Sequence, residues 1–203
     1  MTGGRPREFD REATLETIMQ VFWKHGFEGT TKRELMEATG VASQSLYNAF
    51  GDKHAMFREA LDHYAHTRVT EVRSFLDQPG LTPFDSLRAF VAMWADLPEE
   101  FHRGCLLCNT SAQVDPESEP EISNFVRGHL VEMREMFIEV LARAEVAGEL
   151  RDGADVPAIA STLMCTANGI ALLYRIEAPQ ELLRDTVRGT LHSLDAERAP
   201  REE

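Results

Sequence analysis

The chain has 203 residues, about two-fifths of them apolar, which suffices for one packed domain or a small domain attached to a larger one and excludes wholesale disorder. Three cysteines, an odd number, do not suggest a disulfide framework and point to a reducing compartment. The formal net charge of −13 argues against a uniformly basic nucleic-acid binder, but it is unevenly spread. Residues 1–68 hold 9 Lys+Arg and 10 Asp+Glu, whereas residues 69–203 hold 12 and 24. All three lysines (Lys24, Lys32 and Lys53) lie in the first segment. An acidic body behind a nearly neutral head would suppress non-specific DNA binding while leaving a few placed cations for phosphates.

No apolar run follows Met1, so no secretory signal is expected and the cytoplasm is the expected location. The pattern that follows is helical almost throughout, without period-2 runs or internal repeats. Leu15, Ile18, Met19, Phe22 and Trp23 form the stripe of a first helix, which Gly26 is expected to stop. Thr31 and Glu34 form a capping-box pattern opening a second helix, with Leu35 and Ala38 turned inward and Gly40 ending it. A third short helix runs over 43–50 with Leu46 and Phe50 buried. Asp52 then caps a longer helix carrying Met56, Phe57, Ala60, Leu61 and Tyr64. Two short helices joined through Gly40, which tolerates positive φ, have the proportions of a helix-turn-helix.

Further on, helices are predicted over 84–97, about 105–114, from Ile122 to a stop at Gly148, over 156–175 and over 179–194, with 98–104 as a polar loop. The stretch 156–174 is the most apolar, yet Pro157, Ser161, Thr162, Thr166 and Asn168 interrupt it. It reads as a buried helix rather than a membrane span. The expected fold is all-α. A three-helix helix-turn-helix head with a basic arm (1–52) is joined by a long helix to an all-helical effector and dimerisation body (53–203), about nine helices in all.

The segment Gly40-Val-Ala-Ser-Gln-Ser-Leu-Tyr-Asn-Ala-Phe-Gly-Asp-Lys53, preceded by Gly29-Thr-Thr and followed by Met56-Phe57, resembles the DNA-binding segment of TetR-family transcriptional regulators. The resemblance covers roughly residues 9–64; the rest matches in length and helical pattern. Physics assigns roles alongside it. A recognition helix must offer short polar side chains to the major groove, which Ser43, Gln44 and Ser45 do, with Asn48 on the same helix. Arg33 aligns with a position the family uses for base contact, and Lys32 stands beside it. Tyr47 and Lys53 resemble the family's phosphate clamps, and Thr31 is placed to bond a phosphate as well as cap its helix. Arg5 and Arg7 form a basic arm suited to the backbone or minor groove. Two departures stand out: Ala42 lacks a capping hydroxyl, and Ala49 replaces the aromatic or histidine often found before Phe50.

One recognition helix touches too few bases, so a homodimer on palindromic operator DNA is expected, most simply a repressor released by a small-molecule effector. The resemblance implies a four-helix dimer seam from the last two helices, for which Ala160, Ala167, Ile170, Tyr174, Leu183, Val187, Leu191 and Leu194 are the candidates. An effector pocket would draw on Phe90, Trp94, Phe125, Met133, Phe137, Met164 and Asn168, all equally suited to plain core. Cys105 and Cys108, with His102 nearby, admit three readings: a thiol switch, a metal site short of ligands, or packing. A Gly-Cys-Leu-Leu segment like 104–107 is similar to one in relatives of varied ligand class. Cys165 reads as inert core. No cofactor, metal or membrane partner is expected. A cysteine-based thiol or metal enzyme is disfavoured because such motifs sit beside strands. An interaction module with a degenerate helix-turn-helix is disfavoured by the retained Tyr47 and Lys53.

Overall fold

A computed structural model describes residues 9–200, which are helical with one isolated antiparallel bridge between Leu150 and Arg198. The chain divides into two compact units, one ending at His66 and one beginning at Thr67.

The first unit is built from α1 (Arg11–Gly29), α2 (Lys32–Thr39), α3 (Ser43–Phe50) and the first part of α4 (Lys53–Leu76). Asp10 caps α1 by accepting from the amides of Glu12 and Ala13. Gly26 stops the regular helix as expected, its φ of 71° and ψ of 176° leaving a short turn through Gly29. Thr31 and Glu34 form the expected capping box, and Gly40 ends α2 with a φ of 67°. Ala42 provides no side-chain cap to α3, while Asp52 caps α4 through the amide of Ala55 at 2.8 Å.

The buried faces of α1 and α4 meet through aromatic rings: Phe22 and Phe57 lie 4.9 Å apart and Trp23 and Tyr64 5.0 Å apart. This packing carries the unit boundary into α4, past the expected break before Lys53, because Met56, Phe57, Ala60, Leu61 and Tyr64 are buried with the head. Ala38, expected inward, is exposed; only Leu35 of α2 is buried.

The second unit adds α5 (Pro83–Met93), a 3₁₀ turn (Glu99–Arg103), α6 (Leu106–Ser111), α7 (Pro120–Val146), α8 (Val156–Arg175) and α9 (Gln180–Asp195). Its core takes Phe84, Leu87 and Val91 from α5, Phe137 and Leu141 from α7, and Leu163 and Ile170 from α8. Two expectations shift here. The helix predicted to reach Leu97 gives way to turns after Met93, and the expected loop at 98–104 contains the 3₁₀ turn. One side chain accounts for the first change. The Tyr174 hydroxyl on α8 accepts from the Leu97 amide at 2.8 Å and donates to the Trp94 carbonyl at 3.2 Å, satisfying two backbone groups of the turns that precede Pro98, a residue with no N–H to offer a helix.

The helix α8 is apolar enough, by length and composition, to pass for a membrane span, with a mean hydropathy of 1.6 over its most apolar window. Only 22% of that window is buried, less than expected of a buried helix. Its inner face packs on α7, α9 and the 3₁₀ turn, leaving its outer face uncovered.

His129 of α7 is buried, and its Nδ1 has no hydrogen-bond partner. Burial holds its pKa below the ordinary 6.5, with Glu132, 3.9 Å away, opposing the shift weakly. The folded chain therefore keeps this ring neutral at a pH where the unfolded chain already takes up a proton. Stability is lost as pH falls through 6.5 toward the folded value. His129→Leu should flatten that part of the stability-versus-pH curve in urea titrations, and an unchanged slope would contradict the assignment. Phe137, fully buried, should cost about 3–5 kcal/mol on truncation to Ala, read as a lowered urea midpoint of the body.

Candidate DNA-binding surface and sensor region

The capping box and Gly40 fix the angle at which α3 leaves α2, and burial of Leu46 and Phe50 fixes which edge of α3 faces outward. Gln44 and Asn48 are exposed on that edge, and the Gln44 amide donates to the Asn48 carbonyl oxygen at 3.0 Å. This bond pre-orients Gln44 and leaves its own carbonyl free for an adenine amino group. Ser43 and Ser45 are half-buried beside them.

The cations are held by aromatic faces. Lys53 places its Nζ 4.5 Å from the centre of the Phe27 ring, and Lys32 lies 4.4 Å from that of Tyr47. Such contacts position an ammonium without supplying it a counter-charge. Phe27 and the Lys32–Tyr47 pair were not singled out in the sequence, although Phe27 directly follows the Gly26 stop. Arg33 is exposed and lies 3.6 Å from Glu37, a surface pair that binding to DNA can break at little cost. Thr31 is more committed than expected. Its hydroxyl donates to Glu34 at 2.8 Å and accepts from the Glu34 amide, so a phosphate would have to displace the capping box. The Thr31 backbone amide and hydroxyl hold the Glu34 carboxyl below its ordinary 4.5. Arg5 and Arg7 lie outside the described residues.

In the body, Phe90, Trp94 and Phe137 come together, Phe90 lying 5.6 Å from Trp94 and 6.2 Å from Phe137, packed as core. Phe125 and Met133 are half-buried on α7. Asn168 instead stands between Cys108 and Met164: the Cys108 thiol donates to Asn168 Oδ1 at 2.9 Å, and Asn168 Nδ2 donates to Met164 Sδ at 3.1 Å. Cys105 precedes α6 in an extended conformation and bonds Cys108, which, together with burial, pushes the Cys108 thiol upward. The expected helical relation to His102 is absent. Gly104, with a φ of 73°, turns the chain between them, and His102 stacks on Tyr174 with ring centres 5.2 Å apart. None of the three cysteines is in a disulfide.

The seam candidates fall differently from the expectation. Ala160, Ile170, Tyr174, Leu183, Val187 and Leu194 are buried within the chain's own core, and Ala167 and Leu191 are half-buried. The outer face of α8 carries Ala158, Thr162, Cys165, Gly169, Leu172 and Ile176, and α9 offers Leu182 and Gly189. The α8 residues alternate at spacings of four and three, the seam pattern of paired helices. Leu172, Ile176 and Leu182 are 55%, 63% and 47% exposed. Cys165, expected in the core, is exposed on this stripe. Sequence reasoning chose the more apolar face of a two-faced helix, which is the one the chain itself covers.

A helix-turn-helix head joined to a helical body defines a DNA-binding regulator. Residues 15–60 match the family model described as bacterial regulatory proteins, tetR family, and residues 83–190 match that described as tetracyclin repressor-like, C-terminal domain. The Escherichia coli K12 HTH-type transcriptional repressor ComR is 29% identical over 192 residues, covering 93% of this chain and 90% of that protein. A cysteine mutant of the TetR family transcriptional regulator CifR, solved with 26-base-pair operator DNA, is 30% identical with a TM-score of 0.81, covering 94% of this chain and 99% of that one. The HTH-type regulator YezE of Bacillus subtilis is 27% identical over 195 residues, covering 95% of this chain and 100% of that protein. The chain belongs to the TetR family and is a DNA-binding transcriptional regulator.

The expected roles of the head residues are open to direct test. Lys53→Ala should weaken binding to all DNA sequences alike and lower the salt slope by about one, measured by fluorescence anisotropy across a salt series. Gln44→Ala should instead change sequence preference at one base pair per half-site by about 1–3 kcal/mol. An unchanged salt slope for the first, or a uniform loss for the second, would reverse the assignment.

Proposed function

We propose that the chain is a homodimeric repressor whose two heads read the half-sites of a palindromic operator, and that chemistry in the body releases it. The observation that carries this reading is the combination of an outward polar edge on α3 with Lys53 and Lys32 seated on aromatic rings beside it. The name of the repressor ComR supports the repressor sense, and the operator complex of CifR supports operator binding. Membership of a family of regulators supports a binding protein rather than an enzyme, acting in the cytoplasm where its DNA lies.

Dimerisation is assigned to the outer stripes of α8 and α9. Three large apolar side chains, each about half exposed, are costly to leave in water at roughly 25 cal/mol per Å². Between the helices runs an open groove of about 490 Å³ with Ala158, Thr162, Thr186 and Gly189 in its walls, small side chains that admit a facing helix. The double variant Leu172→Glu/Ile176→Glu should be monomeric by light scattering and bind operator more than about tenfold more weakly. A double variant that remains dimeric would place the seam elsewhere.

Release is a population shift: a body state whose heads no longer fit adjacent major grooves gains weight. The effector's contacts are assigned to the body, with half-buried Phe125 and Met133 and the Phe90, Trp94 and Phe137 cluster as the candidates. A second reading has its own observation. The Cys105 and Cys108 side chains are hydrogen-bonded, and the Cys108 thiol donates to Asn168 of α8, so modifying Cys108 would disturb that helix directly and modifying Cys105 would do so through Cys108. The CifR relative was also studied as a cysteine mutant on its operator. Under this reading, alkylation with N-ethylmaleimide should release operator DNA from the chain but not from the Cys105→Ser/Cys108→Ser variant. Unchanged binding with both thiols shown modified would remove the sensor role.

A further inference from the structure

Two lysines of the head stand on aromatic rings in the same way. Lys53 opens α4 and lies 4.5 Å from the centre of the Phe27 ring; Lys32 opens α2 and lies 4.4 Å from that of Tyr47. In both pairs the ring comes from a different element than the lysine, Phe27 from the turn after Gly26 and Tyr47 from α3. We infer that Phe27 and Tyr47 are positioning residues for DNA binding, each acting through the lysine on its ring, with the ring of Tyr47 rather than its hydroxyl carrying its effect. The inference rests on the reading that Lys53 and Lys32 meet phosphates.

The rings themselves are fixed. That of Phe27 lies 5.0 Å from Phe57, 6.4 Å from Phe22 and 4.5 Å from His54, centre to centre. Phe22 and Phe57 are buried, so the Phe27 ring takes its position from the core of the head. The backbone brings it there. Gly26, with a φ of 71°, turns the chain out of the helix just before Phe27. Thr30 closes the turn, its amide donating to the Phe27 carbonyl at 3.3 Å and its hydroxyl to the Gly26 carbonyl at 2.7 Å. Tyr47 is half-buried on α3 beside buried Leu46. Lys32 above it is exposed, and Lys53 is half-buried.

A lysine free in water loses the rotamer freedom of its four-carbon stem when it settles on one phosphate. A ring beneath the ammonium removes part of that freedom beforehand. The ring occupies one side only, and the three N–H donors leave others for a phosphate oxygen. A carboxylate in the ring's place would have to be displaced, as Glu37 must be from Arg33, 3.6 Å away. Ring and phosphate can instead hold the ammonium from opposite sides. Phe27 isolates the ring's share: it has no hydroxyl with which to reach a phosphate, yet it makes the same contact with its lysine as Tyr47 does. The contact therefore belongs to the ring in both pairs.

The test is a pair of double-mutant cycles on the full-length chain, read by anisotropy across a salt series with a fluorescein-labelled duplex that the unaltered chain has selected from a random-sequence pool. Phe27→Leu and Tyr47→Leu should each weaken binding by about two- to fivefold per head, the worth of an exposed cation–aromatic contact. Neither should weaken it further once its lysine is gone, in Lys53→Ala and Lys32→Ala respectively. Phe27→Tyr and Tyr47→Phe, which keep a ring, should bind as the unaltered chain does. Losses of equal size with and without the lysine would make the rings plain packing and overturn the inference. Tighter binding on removal of a ring would overturn it too, since the ring would then restrain its lysine from DNA. A loss in Tyr47→Phe as large as in Tyr47→Leu would hand the effect to the hydroxyl and overturn the assignment of Tyr47. If Lys53→Ala and Lys32→Ala change neither affinity nor salt slope, the phosphate reading fails and the positioning role falls with it. If they lower the slope while the ring losses persist without them, the phosphate reading stands and the positioning role alone falls.

Discussion

The body depends on one helix having to satisfy two surfaces. The inner face of α8 supplies Ala160, Leu163, Ile170 and Tyr174 to the chain's own core, and Tyr174 also ties down the turns after α5. Its outer face repeats small and apolar residues at spacings of four and three and ends in Leu172 and Ile176, both exposed in the single chain. A helix apolar on both sides is stable in water only when something covers the second side. Membership of the TetR family makes a second copy of the chain the natural cover. Because the inner and outer faces belong to one rigid element, a change on the inner side reaches the outer face without a long relay.

The head has the complementary problem of binding tightly enough through few contacts on an acidic protein. The net charge of −13 opposes loose attraction to any DNA, which favours a small number of well-held cations. Lys32 and Lys53 are each set over a ring, which would reduce the side-chain freedom lost on meeting a phosphate in the proposed reading. The Gln44–Asn48 bond serves the recognition edge in the same way. A release mechanism then has modest work to do, since about 1.4 kcal/mol of difference between two body states changes operator affinity tenfold.

Much of the head was legible because its signals are local. The capping box at Thr31 and Glu34, the positive φ at Gly40 and the Asp52 cap each lie within a few residues, and each is present. The all-helical class followed from periodicity alone. Less legible was whatever depended on which neighbour covers a face. Ala38 fits an inward position by spacing, yet the short α2 buries only Leu35. The seam candidates on α8 lie on its more apolar side, which the chain itself covers, and Cys165, expected in the core, is exposed, because sequence does not say which of two apolar faces the chain keeps for itself. The grouping of Cys108, Asn168 and Met164 joins residues 60 positions apart, and no spacing rule reaches that far. The turns after Met93 likewise depend on Tyr174, which is remote in sequence.

Selection of bound duplexes from a random-sequence pool, followed by sequencing, tests most directly whether two heads on one dimer read DNA. Enrichment of an inverted repeat, with half-site centres about one helical turn or a small multiple apart and loss of the enriched pattern in the Leu172→Glu/Ile176→Glu variant, is the predicted result. Enrichment of a single half-site by the unaltered protein, or the same inverted repeat selected by a monomeric variant, would contradict it.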